Sequence, residues 1–362
     1  MFSKIIDEVK SSFLTNSNVY RETQCEDVIE VCYWLKLKNN HNSFNTYRVV
    51  VFRFLIWMKY RGIKLKSMTN RDVIDYYQFI QNPPESWCGS RRHFNHPEWR
   101  PFRSSLSKSS IKFNMQILRQ LCSDLAQTGY IFKSPFPKIT YSDTKELSIE
   151  KYLTLAEFNC MLNFITSLPE DSSSNRDFKI RIKWIIMLLI YTGARRSEVA
   201  NAKMSDLIYK NNRLWFKVIG KGNKYGEIPI LPELINHLNE YRESFGLPNI
   251  NNRTALETDI PLVIRLVKNK YQAITAATIW NNIKKLCSMF AFEVNNQAFS
   301  DKLLHVSTHW FRHSSATFQV NAGVDIRVVQ KNLRHSSIET TMQYQHIQQD
   351  NQHDETSSKF KI

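Results

Sequence analysis

The sequence predicts a mainly α protein. An N-terminal helical bundle is followed by a larger mixed α/β domain, mostly helical, with a small antiparallel sheet. Three observations predict this. Apolar residues recur at three- and four-residue spacing through most of the 362 residues. One region alternates instead: Leu214, Phe216 and Val218 are interleaved with Trp215 and Lys217. A break at Ser134–Lys138 (SPFPK), then an aperiodic polar stretch, divides the chain. The expected divisions are 1–138, a linker at 139–151, a second domain at 152–347 and a polar tail at 348–362.

The elements follow in order. A short helix is expected over 26–37. The next spans 43–61, capped by Ser43 and ended by Gly62, with Tyr47, Val50, Val51, Phe54, Leu55 and Met58 at helical spacing. A third starts at Thr69, with Asp72 favourably placed in its first turn, and buries Val73, Tyr76, Tyr77 and Ile80. A basic, proline-bearing loop, 81–107, leads to a helix over 109–128 that stops at Gly129. In the second domain Thr154-x-x-Glu157 reads as a capping box. Helices are expected at 155–167, 177–192, 196–203, 232–243, 276–290, 309–322, 325–333 and 337–346, the last opened by a second box, Ser336-x-x-Glu339. The strand at Leu214–Val218 turns through Gly220–Gly226 and returns over Glu227–Leu231. Residues 247–275 show no clear period.

Charge narrows the partners. Lys and Arg number 49 against 33 Asp and Glu, a net charge of +16, with a pI near 9.5. Residues 51–138 hold 15 of the cations and 5 of the anions. Clustered cations gain affinity for a polyanion by releasing its counterions, so the first domain is the expected nucleic-acid grip. Six cysteines lie scattered without a CxxC, which reads as buried thiols in a reducing compartment. Cys88, His93 and His96 lack a second ligand pair, and no metal is expected. The N-terminus shows no signal-peptide pattern, and the longest apolar run, Trp184–Tyr191, is too short to span a bilayer. A cytoplasmic protein without a membrane partner is expected.

Six side chains carry the candidate chemistry. Arg195 follows Thr192-Gly193 at the end of an apolar helix, and its planar fork matches two phosphate oxygens. His309 and Arg312, three apart on a helix, project from one face. His313 diverges from Arg312 and reads as structural. Lys221 sits in the turn GKGNK, where a flexible ammonium can donate a proton. His335 lies in LRHSS, and Tyr344 follows nine residues later. Cations and histidines of this kind hold and protonate a phosphodiester, and a tyrosine is a candidate nucleophile. Arg91, Arg92, Lys108, Lys112, Arg196, Lys224 and Arg334 are the expected further contacts to DNA.

The order Arg195, Lys221, His309-x-x-Arg312, His335, Tyr344 resembles the tyrosine recombinase (integrase) family, strongly over the second half of the chain and weakly over the first. The resemblance implies a SAM-like core-binding domain followed by the family's catalytic domain. It makes those six residues catalytic, with Tyr344 the nucleophile, His309 the acceptor of its proton and Glu198 the support of Arg195. It also implies a 3′-phosphotyrosyl intermediate in duplex DNA, no cofactor, and a homotetramer on DNA, with or without a DNA-bending accessory protein. The setting would be bacterial, nucleoid-associated or mobile-element-encoded. One position departs from the pattern: Arg334 stands where the family usually carries glycine, a residue suited to positive φ. Three rivals are a DNA-binding accessory protein with a decayed site, a type IB topoisomerase-like relaxing enzyme, and a metal nuclease. No carboxylate cluster supports the last. The target sequence and the choice among integration, excision and resolution are not legible.

Overall fold

The computed structural model describes residues 6, 26–38, 41–90, 92–93, 96–136, 151–220 and 225–344. The chain divides into two compact units, Met1–Thr144 and Lys145–Ile362. Of the expected linker only Lys151 is described, and the tail 348–362 lies outside the described residues.

The first unit holds helices α1 (Glu26–Lys36), α2 (His41–Arg61), α3 (Asn70–Gln81) and α4 (Lys108–Gln127). Helix α2 begins before Ser43, so Ser43 is not its cap. It is also buried more widely than one stripe: Phe52, Ile56 and Trp57 join Val50, Val51, Phe54, Leu55 and Met58 in the core. A helix apolar on all sides takes the centre of a bundle. Helix α3 opens with a capping box in which the Thr69 amide donates to Asp72 and the Asp72 amide to Thr69. The buried Asp27 carboxylate accepts from the Leu65 amide at 2.9 Å and the Tyr130 hydroxyl at 2.7 Å, so its burial leaves no oxygen unpaired.

The segment between α3 and α4 is pinned rather than a free basic loop. Trp87 and Phe102 are both buried, and the backbone around them forms a bridge, with the Phe102 amide donating to the Trp87 carbonyl at 3.0 Å. Arg53 of α2 donates to the Pro101 carbonyl at 2.6 Å and lies over the Phe102 ring. An arginine counted as part of the basic surplus is here part of the packing.

The second unit is built around α6 (Ser173–Thr192), which packs against α5 (Leu155–Ser167), α8 (Pro232–Ser244), α9 (Ala276–Glu293) and α11 (Thr308–Asn321). The box at Thr154 forms, with its amide donating to Glu157 at 2.7 Å. Helix α6 starts a turn earlier than expected because Ser172 caps it. Between α7 (Arg196–Asn201) and α8 lies an antiparallel sheet, β1 (Leu207–Lys210), β2 (Arg213–Ile219) and β3 (Tyr225–Pro229), in that order. Leu214, Phe216 and Val218 face the core as their alternation indicates.

Several elements were not expected. Strand β1 joins β2 through Asn211 and Asn212, both at positive φ, the backbone of a two-residue hairpin turn. The aperiodic 247–275 stretch contains a second hairpin, β4 (Ile264–Val267) with β5 (Lys270–Ala273), turned through Lys268 and Asn269 at positive φ. Arg242 of α8 is fully buried there, paired with Glu257 at 2.6 Å and donating to the Pro248 carbonyl. Helix α10 (Gln297–His305), capped by Asn296, fills what was read as a gap. After α11 come α12 (Ile326–Leu333) and α13 (Glu339–Met342). The expected box at Ser336 does not form. Helix α13 is only one turn, and the Ser337 hydroxyl takes the Glu339 amide. Among the described residues no helix is long and apolar enough to cross a membrane, and Cys160 is an exposed thiol rather than a buried one.

Candidate active site

Three chain corners converge in the second unit. The first is the end of α6. Gly193 adopts φ +57°, and a Cβ there would lie 2.4 Å from the Leu333 side chain. The backbone turns and delivers Arg195 as the residue ahead of α7, where its amide donates to Glu198 at 2.6 Å and its Nη1 pairs with the same carboxylate at 3.0 Å. The Glu198 side chain is 2% exposed, that of Arg195 36%. The arginine therefore stands at the surface on a buried anionic support.

The second corner is α11. Arg312 is buried, its Nη1 donating to the Gly193 carbonyl at 2.5 Å and its Nη2 to the Leu333 carbonyl. One guanidinium thus ties α11 to the ends of α6 and α12. Two of its five donors are spent, leaving three. Burial, then the neighbouring Arg195 and Arg334, pull its pKa down to about 10, so it stays charged at neutral pH. His309, one turn earlier, is exposed. Burial and the cations Arg312, Arg196 and Arg195 lower its pKa.

The third corner runs from α12 to α13. His335 Nδ1 lies 2.9 Å from the Thr341 hydroxyl, which fixes the ring orientation. Burial, followed by Arg312, Arg195, His313 and Arg334, brings its pKa to about 4, so the imidazole is neutral at pH 7. Tyr344 is buried beyond α13. Its ring stacks on His335 with centroids 6.5 Å apart and tilts against His313 at 5.6 Å. Its Oη lies 2.5 Å from His313 Nδ1. Burial raises the Tyr344 pKa, with Arg312 partly offsetting it, and burial lowers that of His313, with His309 and Arg312 adding to the fall.

The structure therefore brings Arg195, Glu198, Arg312, His335 and Tyr344 together. The side chain that meets the Tyr344 phenol is His313, at 2.5 Å from its Nδ1. The signal was available in the spacing, since residues 309 and 313 are four apart and share a helix face as fully as 309 and 312 do.

The expected DNA contacts fall into three groups. Lys221, Lys224 and Arg91 lie outside the described residues. In the first unit Arg92 pairs with Glu98 at 3.3 Å, Lys108 opens α4 on the surface, and Lys112 follows it, half-buried. In the second unit the Arg196 guanidinium lies 5.9 Å from the Trp280 ring centroid. Arg334 turns inward, its Nη2 2.5 Å from Glu198 Oε2 and its side chain 13% exposed. Arg334 also adopts φ 56°, the left-handed backbone that glycine would take without strain.

Residues 151–351 match the phage integrase family. The tyrosine recombinase XerD of Yersinia pestis is 31% identical over 201 residues, 55% of this chain and 58% of that protein. XerD of Pasteurella multocida is 24% identical over 315 residues, 87% of this chain and 90% of that protein. Among solved structures, the XerH site-specific recombinase bound to a palindromic difH substrate superposes with a TM-score of 0.60. That likeness covers 98% of this chain and 95% of that one at 18% identity. The Tn1549 transposon integrase in complex with transposon right end DNA gives 0.59 at 18% identity, over 87% of this chain and 93% of that one. These structures share the two-domain fold with a helical N-terminal domain. With the family match extending over more than half its length, the chain belongs to the phage integrase family of tyrosine recombinases.

Proposed function

We propose that this protein is a site-specific recombinase that cuts and rejoins duplex DNA through a 3′-phosphotyrosyl intermediate, with Tyr344 as the nucleophile. The observation that carries the reading is the seating of Tyr344 between His313 and His335, beside the charged Arg312. A phenol held at 2.5 Å from a neutral imidazole has an acceptor for the proton it must lose. In the cleavage step the Tyr344 oxygen bonds to phosphorus and its proton passes to His313 Nδ1. The bond from phosphorus to the 5′ oxygen breaks, and Lys221 supplies that oxygen's proton. Arg195, Arg312 and His335 hold the non-bridging oxygens, the charge-stabilising part of the reaction, and His309 stands at the open face of the same helix. The covalent bond conserves the phosphodiester's energy, so the step draws on neither ATP nor a metal.

Duplex DNA is the proposed substrate, in keeping with the chain's +16 charge and with relatives solved on DNA. The first unit, with Arg91, Arg92, Lys108 and Lys112, is proposed to grip it, joined by Arg196 and Lys224. The working assembly is proposed as a cytoplasmic homotetramer, bacterial, nucleoid-associated or mobile-element-encoded, with or without a DNA-bending accessory protein.

The test is covalent trapping on a nicked suicide duplex carrying the target site, recovered as DNA bound to the protein. Wild type forms an SDS-stable adduct in the presence of EDTA, and Tyr344→Phe binds the same DNA without forming one. An adduct that survives the Tyr344→Phe change, or a wild type that binds and never forms one, overturns the proposal. Relaxation of plasmids lacking the site, at concentrations too low for synapsis, would move the assignment to a relaxing enzyme.

A further inference from the structure

We infer that Arg334 is a positioning residue of this site: through the buried Glu198 carboxylate it sets Arg195, and DNA cleavage rather than DNA affinity depends on it. The inference rests on the recombinase reading above.

Arg334 occupies a backbone position unfavourable to it, at φ 56° and ψ 46°, where a side chain crowds the following carbonyl. What the side chain does there accounts for its presence. Its Nη2 lies 2.5 Å from Glu198 Oε2. Glu198 Oε1 takes Arg195 Nη1 at 3.0 Å, and Oε2 also takes the Arg195 amide at 2.6 Å. One carboxylate, its side chain 2% exposed, thus sits between two guanidinium groups. Removing Arg334 leaves that buried carboxylate with a single cation, and removing Glu198 leaves two cations facing each other.

The aliphatic stem has its own seat. A Cβ at Gly226 would fall 2.4 Å from Arg334 Cδ, so the arm crosses β3 directly over this glycine and would have to shift for any larger residue. Gly226 pairs with Val218 across the hairpin. The arm therefore spans from the residue before His335, across the hairpin, to the carboxylate under Arg195. A phosphate contact is disfavoured because the side chain is 13% exposed and its Nη2 is engaged.

The experiment uses full-length Arg334→Met, which keeps the stem and removes the charge, beside Arg334→Lys, Glu198→Gln and the Arg334→Met/Glu198→Gln double variant. DNA affinity is measured by mobility shift, and adduct formation is timed at saturating nicked duplex. Arg334→Met is expected to slow adduct formation about 10–100-fold with affinity within about twofold of wild type. Arg334→Lys recovers part of the rate, and the double variant is no slower than Glu198→Gln alone. A wild-type rate for Arg334→Met overturns the inference. So does an affinity loss with an unchanged saturated rate, or losses that multiply in the double variant. Wild type, Arg334→Met, Glu198→Gln and the double variant, compared by urea midpoint, read the Arg334–Glu198 coupling without activity. Additive midpoints overturn the inference, whereas coupled midpoints in a wild type that forms no adduct overturn only the recombinase reading.

Discussion

Replacing Arg312 by methionine separates what this residue does for folding from what it does for chemistry. Methionine keeps the volume of the stem and deletes the charge. Two buried carbonyls, Gly193 and Leu333, lose a charged donor, at about 1.5–3 kcal/mol each. Against that, burying the guanidinium beside Arg195 and Arg334 brings its pKa to about 10. A fall of that size costs the fold about 3 kcal/mol, which the substitution removes. The net destabilisation is about 0–3 kcal/mol, within the total of about 5–15 kcal/mol for a domain. The three remaining donors of the guanidinium have no replacement, and loss of one preorganised group costs about 10²–10³ in rate. The expected protein is folded, binds the duplex and fails to form the adduct. Urea unfolding followed by tryptophan fluorescence gives the stability, and timed trapping gives the rate. Adduct formation within about tenfold of wild type would refute the role assigned to Arg312. A stability loss beyond about 5 kcal/mol would refute the balance of burial against carbonyl pairing.

His313→Asn is expected to slow adduct formation at least about tenfold more than His309→Asn, because removing the positioned base of a proton transfer costs about 10²–10⁴; equal effects would return the acceptor role to His309. Burial holds the His313 pKa below its ordinary 6.5, so the imidazole remains neutral and able to accept as pH falls through that value. The acid limb of the cleavage rate at subsaturating DNA then has its midpoint below pH 6.5, and a midpoint above it contradicts the assignment. Gly193→Ala meets Leu333 at 2.4 Å with φ at +57° and is expected to lose about 1–3 kcal/mol in urea unfolding. A neutral result would show that the α6–α12 approach relaxes freely. Glu257→Ala leaves Arg242 as a buried unpaired cation and is expected to cost about 3–5 kcal/mol; pairing it with Arg242→Met restores part of that, and no restoration would mean the two do not interact.

The helices were legible where a cap and an apolar stripe coincided. Thr154 with Glu157 set the start of α5, and Gly62 and Gly129 end α2 and α4 at positive φ. The missed elements lacked a long stripe. Helix α10 shows little beyond Phe299 and Leu303, and β1 and the β4–β5 hairpin are four-residue strands whose turns, Asn211-Asn212 and Lys268-Asn269, carry no glycine. Ser336 failed as a cap because Ser337 took the amide it was expected to hold.

Chain order alone determined which residues to look for: an arginine behind Gly193, the His309–Arg312 pair, His335 and a tyrosine nine residues on. Those are properties of covalent spacing, and spacing is what a linear text records. Tertiary structure decided which of them touch. His313 rather than His309 lies against Tyr344, and Arg334 turns inward to Glu198, a residue 136 positions away. Such pairings depend on how α7, α11 and α12 close on one another. A buried charge finds its partner only when packing removes the water that would otherwise satisfy it.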